Sequence, residues 1–148
     1  MSEQNPNEQS VNLQKIYLKD VSLETPNTPQ IFTKEWQPDV NIDLATNGQG
    51  IGDNLYECVL HITVTAKSAG DTAFLCEVQQ AGIFELSGFG EDQLSQILGI
   101  FCPTTLFPYA REAISDLVSR AGFPQMLLNP VNFEALYAQQ NQPTGEAN

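Results

Sequence analysis

A chain of 148 residues with 18 Asp and Glu against 6 Lys and Arg carries a formal net charge of −12. That balance excludes a nucleic-acid binder, whose affinity comes from Lys and Arg on phosphates. It excludes an anionic membrane surface for the same reason and favours basic partners.

The length suits one domain, able to bury about 70% of its unfolded surface without staples. Residues 1–10 have no hydrophobic periodicity and are expected to be disordered. They lack the basic and apolar regions of a secretory leader. The expected domain spans residues 11–138, followed by a disordered tail over 139–148. No apolar run approaches the roughly 20 residues that span a bilayer. Cys58, Cys76 and Cys102 are odd in number and form no C-x-x-C pair, which suits a reducing compartment. The expected location is the cytoplasm.

The first strand is predicted over Val11 to Leu23, with a shift of apolar phase between Leu18 and Val21 that predicts a bulge near Asp20. Pro26, Pro29 and Pro38 then bar regular ladder pairing, so the segment carrying Trp36 reads as a long crossing loop. A short strand, Val40 to Leu44, precedes NGQGIGDN, a Gly/Asn/Asp loop. The third strand alternates cleanly: Tyr56, Cys58, Leu60, Ile62, Val64 and Ala66 share one face, with Glu57, Val59, His61, Thr63 and Thr65 on the other. After the turn KSAGDT comes a fourth strand over residues 73–86, where Phe74, Cys76, Val78 and Phe84 lie opposite Leu75 and Glu77. Strands two to four are expected to form an antiparallel meander.

The period then changes to 3.6. Residues 91–98 predict a short helix ending at Gly99. A longer helix is expected to be capped by Thr104 or Thr105, with Pro108 in its first turn. Its stripe is Phe107, Ala110, Ile114, Leu117, Val118 and Ala121, with Gly122 as a C′ residue and Pro124 as a stop. A last helix is expected from Asn129, with Pro130 at its first position and Phe133, Leu136 and Tyr137 on its apolar side. The fold class is α+β: a four-stranded antiparallel sheet with a long crossing loop after the first strand, then two main helices on one face.

Chemistry is sparse. His61 is the single histidine and has no partner at metal-ligand spacing, so it reads as a surface or interface residue. Cys102, just before a helix, is a conceivable thiolate nucleophile, although a partly buried structural Cys is the simpler reading. The glycines of NGQGIG do not lie between a strand and a helix and are followed by no GK[ST], so they make no phosphate loop. No cofactor and no metal site is expected. The aromatics and aliphatics of the crossing loop, second strand and last helix could instead line an apolar groove.

The strings ETPNTPQIF, EWQP, AFLCEVQQAGIF, CPTTLFPYAREAISDLVSRAGFP and NPVNFEALY together resemble the bacterial protein-export chaperone family SecB, from about Val11 to Tyr137. The resemblance implies an ATP-independent holdase, not an enzyme. Such a protein keeps newly made precursors unfolded and passes them to the motor ATPase SecA, and it assembles as a dimer of dimers. The client groove it implies is Trp36, Ile42, Leu44, Tyr109, Val131, Phe133 and Leu136. The SecA face it implies is Asp20, Glu24, Leu75 and Glu77, suited to SecA's basic tail, where any zinc belongs to SecA. Cys76, Val78 and Gln80 alternate with that face and are expected at the helices and an oligomer contact. The alternatives are a SecB-like chaperone dedicated to one partner such as an antitoxin, a thiol enzyme using Cys102, and a structural acidic oligomer.

Overall fold

The computed structural model describes residues 8–141. The expectations for residues 1–7 and 142–148 lie outside the described residues. Four strands, β1 (Ser10–Glu24), β2 (Pro38–Gly52), β3 (Leu55–Ser68) and β4 (Asp71–Ser87), form one antiparallel sheet in the order β1-β4-β3-β2. The expected meander of β2, β3 and β4 is present, and β1 returns to pair with β4.

The register break foreseen near Asp20 falls between Leu18 and Asp20, and a second lies between Leu13 and Lys15. Ala69 (φ 53°) and Gly70 (φ 87°) join β3 to β4. Two consecutive positive φ values match the strand twist in a two-residue hairpin.

The glycine segment differs from expectation. NGQGIG is not a loop but the end of β2, and only Asp53 and Asn54 separate β2 from β3. The glycines serve close packing: a Cβ on Gly48 would lie 3.2 Å from the Cβ of Leu98. The crossing segment between β1 and β2 holds one 3-10 turn, Gln30–Thr33, which buries Ile31.

Nor do the helices separate at Gly99. Helix α1 (Glu91–Gln96) runs through a π turn, Ile97–Phe101, directly into α2 (Cys102–Arg120). Pro103 and Pro108 lack the N–H of a regular ladder, and a proline ring crowds the carbonyl four residues back. The wider π turn lies just before Pro103, where it relieves that crowding and lets the rod continue. Thr104 and Thr105 do not cap. Their hydroxyls donate back to the carbonyls of Ile100 (2.5 Å) and Phe101 (2.9 Å).

At its far end α2 closes as expected at Gly122 (φ 96°), with Phe123 N–H donating to the Val118 carbonyl and Gly122 N–H to that of Ser119. This pattern is a Schellman motif. Helix α3 (Phe133–Gln140) starts later than expected. Its cap is Asn132, whose Oδ1 accepts from Ala135 N–H at 3.0 Å, because Asn129 and Pro130 belong to an extended approach. It also continues through Gln139 and Gln140, the first residues of the expected tail.

The helices cover one sheet face. Helix α2 packs on β3 and β4, and Leu60, Ile62, Val64, Cys76, Val78 and Phe84 beneath it have no exposed surface. Strand β1 extends past this cover. Val11, Leu13, Leu18 and Val21 face the helix side, opposite Leu86, Phe84, Gln80 and Val78, yet remain exposed.

Candidate functional site

Two surfaces gather the predicted residues. The first is a groove on the helix side, along β2. Val40, Ile42 and Leu44 pair with Ala66, Val64 and Ile62, so they project to the covered face. Helix α2 does not reach them: Val40 is 39% and Ile42 42% exposed. They form an apolar floor.

At one end of the floor stands the crossing loop. The Schellman turn delivers Phe123 into the core, where its ring meets Phe32, Trp36 and Phe74 at centroid distances of 5.0, 5.6 and 5.2 Å. Beside this cluster a cavity of about 110 Å³ is lined by Trp36, Val40, Phe74, Pro124 and Met126. At the other end α3 covers Leu44. Phe133 meets Phe107 of α2 edge to face at 6.0 Å, and Leu44, Phe133 and Leu136 close around a gap of about 10 Å³. Tyr137 holds α3 down. Its ring occupies the space where a Cβ on Gly99 would sit, and its hydroxyl lies 2.8 Å from that of Ser95.

Of the seven predicted groove residues, Trp36, Ile42, Leu44, Val131, Phe133 and Leu136 belong to this floor or pack on the core beside it. Tyr109 does not join them. It is exposed and stands two residues, about 200° of helix, from Phe107, which faces α3. Sequence reasoning missed the contribution of Pro124 and Met126, because an irregular connection has no periodicity to read. A hollow of about 450 Å³ beside α2, among Arg111, Glu112, Ser115 and Asp116, contains no predicted residue.

The second surface is the uncovered sheet face. Glu24 pairs with Leu75, Ser22 with Glu77 and Asp20 with Gln79. Across β4, Leu75, Glu77 and Gln79 pair with Thr65, Thr63 and His61. All four predicted docking residues thus share one patch, and Asp43, opposite Thr63, adds a further carboxylate to it. His61 Nε2 lies 3.5 Å from Glu77 Oε2 but makes no hydrogen bond.

Cys76, Val78 and Gln80 point toward the helices, as expected: Cys76 and Val78 have no exposed area and Gln80 has 3%, so each packs within the core of its own chain. Gln80 is satisfied internally, its Nε2 donating to the Tyr17 carbonyl at 3.1 Å. Cys102 is likewise enclosed, and it sits mid-rod rather than at a helix start. The neighbouring Cys58 thiol and then burial push its pKa up, the opposite of an activated thiolate. Burial, with a smaller push from Glu77, raises the Cys76 thiol to about 11.

One group on the open face had no signal in the sequence. Glu57 falls on the polar side of β3, yet it is only 6% exposed. Tyr17 donates its hydroxyl to Glu57, Lys19 Nζ donates to both carboxylate oxygens (2.9 and 3.0 Å), and Gln49 Nε2 donates at 3.2 Å. The Tyr17 hydrogen bond, then those of Lys19, hold the Glu57 carboxyl below the usual carboxylate range. Burial, then the same hydrogen bond, lifts Tyr17 to about 12. A hollow of about 250 Å³, lined by Lys19, Asn47, Val59, His61 and Gln79, separates this cluster from the acidic patch.

Residues 4–144 match the family described as preprotein translocase subunit SecB. Among solved structures, a SecB-like chaperone of Mycobacterium tuberculosis, in complex with a ChAD peptide from the HigA1 antitoxin, aligns with a TM-score of 0.64 at 16% identity. That alignment covers 82% of this chain and 90% of the other, and it establishes a shared fold. A protein of unknown function from Streptococcus agalactiae aligns over 82% of this chain and 98% of its own, at 13% identity and a TM-score of 0.42. Among the described residues, no helix is long and apolar enough to cross a membrane.

Proposed function

The chain belongs to the SecB family, and from that premise we propose that it is an ATP-independent export holdase which keeps precursor proteins unfolded and delivers them to SecA in the cytoplasm. The family match and the shared fold with a SecB-like chaperone support a chaperone role. The observation that carries the holding step is the exposed floor of Val40 and Ile42, with the Trp36 cavity at one end and α3 at the other. An unfolded segment in extended form brings apolar side chains to such a floor every second residue. Several shallow sites in one assembly hold it by avidity.

Delivery is assigned to the patch of Asp20, Glu24, Leu75 and Glu77, with Asp43 beside it. Carboxylates around one aliphatic suit a basic partner segment, and they raise its rate of encounter. The uncovered apolar row of Val11, Leu13, Leu18 and Val21 on β1 supports self-assembly, as in the dimer of dimers proposed for this chain. The decisive measurement is suppression of aggregation of an unfolded precursor without nucleotide, followed by binding of SecA's tail. A protein that fails to delay aggregation overturns the holdase reading.

A second reading is a chaperone dedicated to one partner, because the similar M. tuberculosis structure carries an antitoxin peptide. Competition among unrelated unfolded clients separates the two: a general holdase exchanges them freely, and a dedicated one holds a single partner.

A further inference from the structure

We propose that Glu57 is a positioning residue for the acidic patch: by holding the Lys19 ammonium, it keeps that cation from neutralising Asp20 and Glu77. The inference rests on the docking role assigned to the patch. Lys19 sits in the register break between the pairs Leu18–Gln80 and Asp20–Gln79. In a regular strand, Lys19 and Asp20 would point to opposite faces. The break places an extra residue opposite a single partner, and Lys19 reaches the open face, where it bonds Glu57 and lines the hollow with His61 and Gln79. The sheet therefore puts a cation directly beside the carboxylates that would receive a basic partner.

Glu57 removes that conflict. It draws Lys19 to the far side of the hollow, and Tyr17 and Gln49 fix the carboxylate from β1 and β2. The three donors satisfy a carboxylate that is otherwise nearly out of solvent. The Tyr17 and Lys19 hydrogen bonds hold its carboxyl below the usual carboxylate range, so it is charged at neutral pH. The hollow of about 250 Å³ is the space through which a released lysine would swing toward Asp20 and Glu77.

The test is binding of a synthetic lysine- and arginine-rich peptide at low salt by calorimetry, with the full chain. Glu57→Gln keeps the shape and removes the charge. It should weaken binding about three- to tenfold, the effect of one cation moved next to the patch at the dielectric of a water-exposed surface. The double variant Lys19→Met with Glu57→Gln removes both charges and should return to within about twofold of wild type. Nuclear magnetic resonance of the Lys19 ammonium supplies a readout that a merely structural role would not move: contacts to the Tyr17 ring in wild type should give way to contacts with Asp20 and Gln79 in Glu57→Gln. Wild-type affinity in Glu57→Gln, or a double variant as weak as the single one, overturns the inference. If wild type itself does not bind the peptide, the docking reading fails, and the lysine's position still decides this inference: an ammonium that stays on Tyr17 in Glu57→Gln overturns it.

Discussion

The two faces of the sheet obey different physics. On the covered face, burial is the constraint, and a strict alternation of apolar residues on β3 and β4 meets it, with Ile62, Val64, Cys76 and Phe84 fully enclosed. On the open face, the constraint is where charge sits. Carboxylates cluster at Asp20, Glu24, Glu77 and Asp43, and Lys19, next to Asp20 in the chain, bonds Glu57. A defect on the first face costs stability, and a defect on the second should cost recognition.

The sharpest break of that contrast is Phe84→Ala. This ring is fully buried and packs edge-on to Phe101 at 6.5 Å. Its loss should remove about 3–5 kcal/mol in chemical denaturation, whereas Leu75→Ala on the open face should remain within about 1 kcal/mol. Next is Glu77→Lys, which should weaken binding of the SecA tail about tenfold in titration calorimetry and leave the suppression of precursor aggregation unchanged. Equal affinity would remove Glu77 from the docking surface.

A smaller effect is expected for Ile42→Asp in the groove. It should reduce client affinity about threefold to fivefold in a fluorescence-binding assay, the remaining sites holding by avidity, with tail binding intact. The smallest effect concerns pH. The Glu57 carboxyl titrates below its ordinary 4.5 in the folded chain. Its contribution to stability is therefore complete above that value and is lost as pH falls through the lower folded value. The stability gap between wild type and Glu57→Gln should accordingly be constant at neutral pH and shrink in acid. A gap that widens in acid would reverse the assignment.

Legibility in the sequence followed the same division. Period 2 placed Phe74, Cys76 and Val78 beneath the helices, and the phase shift at Leu18 located the register break, because burial writes itself into residue type. Gly99 and the glycines of β2 misled for one reason: glycine marks either a turn or a close approach, and here Leu98 rests on Gly48 while Tyr137 rests on Gly99. Glu57 was unreadable because its burial depends on Tyr17, Lys19 and Gln49, which register brings together from two other strands. Tyr109 shows the converse, an aromatic whose helical phase points it away from the groove.

The π turn before Pro103 has a consequence for length. Because it makes α1 and α2 one rod, Leu98 in the π turn and Phe123 just past the far end are carried by a single element. Leu98 rests on Gly48, and Phe123 meets Phe74, whose row across the sheet runs through Ala66 to Val40. From Val40 to Gly48 is eight strand steps, about 27 Å. The rod therefore acts as a ruler: it marks off a span of β2 as long as about eight residues of a fully extended chain, open at Val40 and Ile42 and roofed by α3 at Leu44.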